Sequence, residues 1–326
     1  MERREKILAY GAWLAICLIW GTTYLAIRVA VRTLPDAWMT GARFVIAGAL
    51  MLFILRLRGE RFPAAREWIH LAIIGISLIG FGNWLVVWAE NSISSGTAAL
   101  SVAAVPFWII GVERVLKNQI AKEGGTTEPI HTYQIAGLIV GFFGVVLLLL
   151  PHLIGIWNPG YVTGILAIEL GGIFWAFGSI YSKYKKLAST PLMNASVEML
   201  LGGLFMFAVS WFKGEFSHVH WVPATTFAFL YLVVVGSMIG FVSFIYALAK
   251  LPSSTVSLYA YINPVIAVWL GSLLLHEELG WSTIGATIVI LIGIWLVRRK
   301  PVGKKTFVTL VDEQRNDERP IPVNNI

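Results

Sequence analysis

Apolar runs long enough to cross a bilayer follow one another along almost the whole chain. They fall at about residues 7–27, 37–57, 69–89, 94–116, 133–150, 161–182, 192–212, 224–248, 253–275 and 281–297. A span takes about 20 apolar residues as a helix. Only 13% of the residues are charged, against about 25% in a soluble domain. The pattern predicts an all-α integral membrane protein with ten transmembrane helices. Most connections are short, so successive helices are expected to be antiparallel neighbours. Residues 7–27 are too long for a signal h-region and lead into more apolar chain, so the first helix is expected to stay as an anchor.

The basic residues orient the helices. With the N-terminus in the cytoplasm, 21 of the 25 Lys and Arg residues fall on the cytoplasmic side and 3 outside, with Arg43 inside a span. That asymmetry is the positive-inside pattern, and one missing span would reverse every later loop. Both termini are expected in the cytoplasm, and the formal charge of +7 reads as membrane orientation, not nucleic-acid binding. Cys17 is the single cysteine, so neither an internal disulfide nor a cysteine metal cluster is available.

The two halves repeat. Five spans precede Pro151 and five follow it. An offset of 155 residues places Trp20 on Trp175, Arg43 on Glu198 and Gly48 on Gly203. An odd number of spans per half inverts the second half. The expectation is therefore two inverted five-helix repeats with a site near the midplane between them. The fourth and ninth spans each carry a proline, in SSGTAALSVAAVPFW and SSTVSLYAYINPVIAVW. Aligning Pro106 with Pro264 also aligns Thr97 with Thr255 and Leu100 with Leu258. Proline lacks an N–H and crowds the preceding turn, so both helices are expected to bend there and serve as gates. Paired interrupted helices in two halves are the mark of a transporter with a central site.

Candidate site residues follow from cost. An ionised side chain at mid-bilayer costs at least about 2.5–3.5 kcal/mol and normally faces the bundle interior. Arg43 and Glu169 lie about 9 and 12 Å below the same face at 1.5 Å per residue, so an ion pair is possible. It would either lock the halves or serve substrate or protons; Arg43 could instead be held by backbone carbonyls. Glu198 either carries a proton or reaches Lys183 or Lys185 at the interface; Glu90 reads as a solvated helix end. Trp20, Tyr24, Asn83, Trp84, Trp175, Tyr259 and Asn263 are expected to line the cavity, since aromatic faces with amides suit apolar, aromatic or cationic ligands. Trp13, Trp211, Trp221 and Trp281 read as interface anchors. The glycines at 137, 141, 144, 236 and 240 have the spacing of close helix packing.

The runs MTGARFVIAGALML, WAENSISSGTAALSVAAVPFW and YALAKLPSSTVSLYAYINPVIAVWLGSLLLHEELGWSTIGATIVILIGIWLV resemble the EamA branch of the drug/metabolite transporter superfamily. The resemblance covers two units, 12–150 and 161–298, flanked by a cytoplasmic segment 1–11, an outer linker 151–160 and a cytoplasmic, disordered tail 299–326. It implies a ten-helix carrier of the inner (cytoplasmic) membrane, often an exporter of amino acids, other small metabolites or drugs. It further implies that helices one to four and six to nine line the cavity while the fifth and tenth join the halves. The second unit has Glu277 and Glu278 after its ninth helix where the first has Gln119, and Glu169 is not a usual feature of the pattern.

The function expected is a secondary transporter or facilitator working by alternating access. Its partners are a small-molecule substrate, the lipid bilayer and, through Glu169 or Glu198, protons; no cofactor or metal is called for. No Walker A, HExxH or GxSxG motif occurs, so neither an ATP-driven pump nor a hydrolase has support. A scaffold, sensor or lipid-modifying protein is the rival, and it would not need polar residues at mid-depth in both halves. Oligomeric state is not legible in one sequence.

Overall fold

The computed structural model describes residues 3–93, 95–127, 130–149, 159–275 and 281–298. Residues 151–158 of the expected linker, the tail from 299 and the Glu277–Glu278 pair lie outside them. The described residues form helices and no strand. In chain order they are α1 (Arg3–Ala30) and α2 (Asp36–Leu57), α3 (Ala65–Ala89), α4 in two pieces (Ser95–Val102 and Val105–Val115), α5 (Thr132–Leu149), α6 (Pro159–Tyr184) and α7 (Pro191–Phe212), α8 (Pro223–Lys250), α9 in two pieces (Ser253–Val256 and Tyr259–Leu275) and α10 (Trp281–Arg298).

Six of these, α1, α2, α3, α6, α7 and α8, are long and apolar enough to cross a membrane. The fourth and ninth expected spans fall short as single helices because each is broken. Large apolar side chains such as Leu14, Leu18, Phe53, Ile139, Phe143 and Leu291 point outward, away from any packed neighbour. An apolar shell around a packed interior is what lipid, not water, requires.

The breaks do not fall at the prolines. In α4 the break is at Ala103–Ala104, and Pro106 sits in the first turn of the second piece, where a missing N–H costs nothing. In α9 the break is at Ser257–Leu258, while Pro264 lies inside the continuous helix that follows. Both breaks are tight turns, with Ala104 N donating to Ser101 O, Phe107 N to Ala104 O, Ala260 N to Ser257 O and Tyr261 N to Leu258 O. These short i→i+3 bonds partner carbonyls that a kink would leave bare. Two long helices also carry an underwound segment: Ile76–Asn83 in α3 and Leu232–Phe241 in α8 are π-helical.

Packing comes in matched sets. The contacts of α2 with α7 and of α5 with α10 are the most extensive. Contact of α1 with α9 is matched by contact of α6 with α4, and α1 with α8 by α6 with α3. Each set exchanges under the swap of the first five elements for the last five. Glycine makes the closest approaches possible. A Cβ on Gly48 would lie 2.6 Å from Leu200 N, and one on Gly203 2.6 Å from Val45 N. On the other pair, a Cβ on Gly293 would lie 2.4 Å from Gly141 N. Those contacts are with backbone, which cannot swing aside.

Trp13 departs from expectation: it is buried, while Trp211, Trp221 and Trp281 are exposed. Its position on the inner face of α1 outweighs its closeness to the helix end. Two ends of the bundle can be told apart. One, here called the basic end, carries Arg56, Arg58, Lys183, Lys185 and Lys250; the far end carries Arg28, Asp36 and Lys213. At the basic end Lys185 pairs with Glu123 at 2.7 Å. The hydrogen bond holds the Glu123 carboxyl below its ordinary range and the Lys185 ammonium above it.

Replacing Gly293 by leucine forces α10 away from α5 and should lower the midpoint of thermal unfolding of the purified protein, whereas Gly111→Leu, at a site with open space, should not. Equal midpoints for the two variants would show that the close approach is unimportant.

Candidate functional site

The irregular segments surround one space. A cavity of about 70 Å³ lies among α1, α2, α3, α4, α6, α8 and α9; about 10–15 Å³ is enough for one water. Its lining includes Trp20 and Tyr24 of α1, Arg43 of α2, Asn83 of α3, Trp175 of α6, and Tyr259 and Asn263 of α9. Both π-helical segments contribute, through Gly82 and Asn83 on one side and Gly236 and Phe241 on the other. A π-helical turn disturbs the regular backbone ladder, a frequent feature of functional sites.

Toward the basic end the cavity has an aromatic floor. Trp20 meets Trp175 edge to face with centroids 5.4 Å apart, and Tyr259 likewise at 5.0 Å. Phe244 packs against both tryptophans, at 5.3 and 5.0 Å. Such pairs are worth about 0.5–1.5 kcal/mol each beyond burial. The two tryptophans matched by the 155-residue offset thus touch each other. Trp20 Nε1 donates to Gly236 O at 3.2 Å. A Cβ on Gly240 would lie 2.7 Å from that nitrogen, so the glycine leaves room for the indole. The glycines of α8 therefore shape the cavity wall, beyond the packing role expected for them.

Below the floor, the basic end is latched. Glu113 at the end of α4 is buried and accepts from Tyr184 of α6 at 2.5 Å and from Ser253 of α9 at 2.8 Å. Lys183 donates to Leu251 O at 3.0 Å. Glu113 is invisible to sequence reasoning, because a lone carboxylate at the end of an apolar run looks like an ordinary helix terminus.

The polar lining is sparse. Arg43 is 3% exposed and its Nε donates to Ser237 Oγ of α8 at 2.7 Å, with the guanidinium 4.6 Å from the Phe44 ring centre. Its Nη1 has no hydrogen-bond partner, and neither has Asn83 Oδ1. Asn263, with its amide nitrogen turned inward as the hydrogen bonding demands, donates to Tyr259 O and to Cys17 O, each at 3.0 Å. It thereby ties α9 to α1.

Trp84 and Glu169 do not line the cavity. Trp84 Nε1 donates to Asp36 Oδ1 at 2.6 Å in a far-end network that also holds Lys213, 3.0 Å from Asp36. Glu169 accepts from Trp108 Nε1 at 2.8 Å, one residue off the lining Ile168. The Arg43–Glu169 ion pair is not formed: each group has the other partner just named. A shared depth along two helices did not put them on facing sides. Glu198 is fully buried on α7, with neither carboxylate oxygen hydrogen-bonded, and does not reach Lys183 or Lys185. Glu90 is buried, not solvated; its carbonyl accepts from Arg28 Nη1, which folds the helix end inward. Among the described residues, no group of three or more His, Cys, Asp and Glu could hold a metal ion.

Comparison with known proteins agrees with this architecture. The model of the EamA-like transporter family matches residues 7–150 and again residues 162–299. The chain is 33% identical over 313 residues to the "Uncharacterized inner membrane transporter YedA" of Escherichia coli K12, covering 93% of this chain and 96% of that protein. It is 29% identical over 314 residues to "Protein PagO" of Salmonella typhimurium, covering 92% and 97%. The "Uncharacterized transporter YoaV" of Bacillus subtilis is 22% identical, covering 87% and 94%. A crystal structure at 18% identity superposes with a TM-score of 0.71, covering 91% of this chain and 98% of that one, so the fold is shared.

Ser237→Ala removes the oxygen that, among the described residues, accepts from Arg43. It should destabilise the protein by about 1–3 kcal/mol, the cost of stripping a buried charged donor of its partner, seen as a lower unfolding midpoint in detergent. Ser237→Thr should restore most of the loss; an alanine variant as stable as the parent would mean that Arg43 finds another acceptor.

Proposed function

This chain belongs to the EamA-like transporter family, a multi-pass membrane protein, and on that premise we propose that it is a secondary carrier of small molecules. It works by alternating access as two inverted five-helix units, 12–150 and 161–298, with ten membrane crossings. The observation that carries this reading is the cavity at the aromatic centre of the bundle, lined from both units and closed toward the basic end by the Trp20–Trp175–Tyr259 floor. The matched packing of α1 with α9 and α6 with α4 supports the inverted repeat. The charge asymmetry supports placing the basic end, and both termini, in the cytoplasm of the cell that holds it in its inner membrane.

In this reading the state described is closed to the cytoplasm. The Glu113 latch and the floor are the cytoplasmic gate, and the breaks at 103–104 and 257–258 are the joints that let α4 and α9 move. The prolines act beside these joints. The direction of net transport is export, as the resemblance to exporters of amino acids, metabolites and drugs suggests. Proton coupling, where present, runs through Glu198 or Glu169. Both are carboxylates within the spans and off the lining, so a proton there would act through helix position, not by touching substrate.

Proteoliposomes offered a panel of amino acids, amines and dyes should show saturable flux of at least one, and no flux of any member would count against the carrier reading. Removing the latch with Glu113→Ala should favour opening to the basic end. Cys17, one turn below Trp20 and buried, should then react faster with a membrane-impermeant thiol reagent applied from that side only. Glu169→Gln and Glu198→Gln test the protons: whichever residue carries them should lose pH-dependent transport when neutralised, and unchanged pH dependence in both variants eliminates that part of the mechanism.

A further inference from the structure

The lining of the cavity contains a fixed positive charge with nothing to neutralise it. Arginine stays ionised in proteins, and a buried charge is normally paired. Arg43 is 3% exposed, yet its near neighbours are the neutral Ser237 hydroxyl and the Phe44 ring. Among the described residues no carboxylate forms an ion pair with it. Glu169 is engaged by Trp108; the Glu90 and Glu198 carboxylates are buried without hydrogen-bond partners, but neither pairs with Arg43 and neither is part of the lining. Arg43 Nη1 remains without a partner while the side chain lines the cavity. A second group with unfilled hydrogen-bonding capacity, the Asn83 amide, lines the same space from α3. Opposite them stand the faces and edges of Trp20, Trp175, Phe241 and Tyr259.

We infer that this site, in a state opened beyond the roughly 70 Å³ described above, takes a small organic anion: one carboxylate on a flat, ring-sized apolar body. The assignment rests on the carrier reading above and narrows it to a substrate class. The carboxylate pairs with the free edge of the Arg43 guanidinium, to which it presents two oxygens in matching geometry. The Asn83 amide can add to this by donating its Nδ2–H to the same carboxylate. The apolar body lies on the aromatic floor, where edge-to-face contact is favourable. Aromatic walls alone would equally suit a cation. The guanidinium decides between the two, because a cation would enter against an uncompensated like charge in a medium that screens poorly. The same pairing would offset the cost of keeping Arg43 buried, so affinity and charge selectivity come from one contact.

The test uses the full-length protein and probes that differ in charge alone. Benzoate, phenylacetate and indole-3-acetate are compared with their neutral amides and with benzylammonium, by equilibrium dialysis and thermal shift in detergent. At least one acid should bind about tenfold or more tighter than its own amide, with benzylammonium weakest. Arg43→Gln should bring acid and amide level, and Arg43→Lys should keep part of the preference, since lysine retains the charge without the planar fork. The acid–amide comparison on the unaltered protein stands even where a variant fails to fold. Equal binding of acid and amide, binding of none of the three acids, or an undiminished acid preference in Arg43→Gln overturns the inference. Flux of neutral or cationic probes in proteoliposomes without acid binding would sink the anion and leave the carrier. Tight acid binding with no flux of any probe would do the reverse.

Discussion

Within lipid, a backbone carbonyl that leaves the helical ladder must be satisfied by the protein itself. This constraint accounts for where the irregular backbone lies. The π-helical segments of α3 and α8 and the breaks in α4 and α9 all converge on the interior of the bundle. There, partners are at hand: Trp20 supplies an N–H to Gly236 O, and the Asn263 amide supplies one to Tyr259 O and Cys17 O. The cavity exists because the helices around it are imperfect, and their imperfections are tolerated because they face one another.

Around that irregular centre the rest is regular and tightly closed. The α2–α7 and α5–α10 crossings bring backbones together through glycine, with no side chain between. Without a hydrophobic drive between helices in a bilayer, close packing of this kind carries much of the association. The two crossings tie first-half elements to second-half elements. They give the bundle fixed edges against which a central site can change shape.

Much of this was legible in the sequence, for identifiable reasons. Length and charge asymmetry define membrane segments strongly, and the fixed offset between Trp20 and Trp175 marked residues that prove to be in contact. Arg43, Asn83, Tyr259 and Asn263 were found because polar groups at mid-depth have few places to go. Trp84 and Glu169 were misplaced because depth along a helix says nothing about which way a side chain faces. Proline was a fair guide to which helices are interrupted but not to where, since Pro106 fits a first helical turn and Pro264 is absorbed by its helix. Glu113 was silent: its partners Tyr184 and Ser253 lie 71 and 140 residues away, and no local pattern encodes such a meeting.

The Tyr261 side chain constrains the motion that this architecture permits. Its hydroxyl donates to Leu138 O of α5 at 2.9 Å, and its ring fills the notch at Gly141, where a Cβ would come within 2.6 Å. The long piece of α9 is therefore bolted to α5, and through α5 to α10. The four-residue piece Ser253–Val256 is held instead through the latch, where Ser253 supplies one of the two hydroxyls on Glu113. In the proposed carrier, movement of the ninth helix falls to this short lever, so a small stroke at one serine, not the tilting of a whole rod, is the economical way to unseal that end.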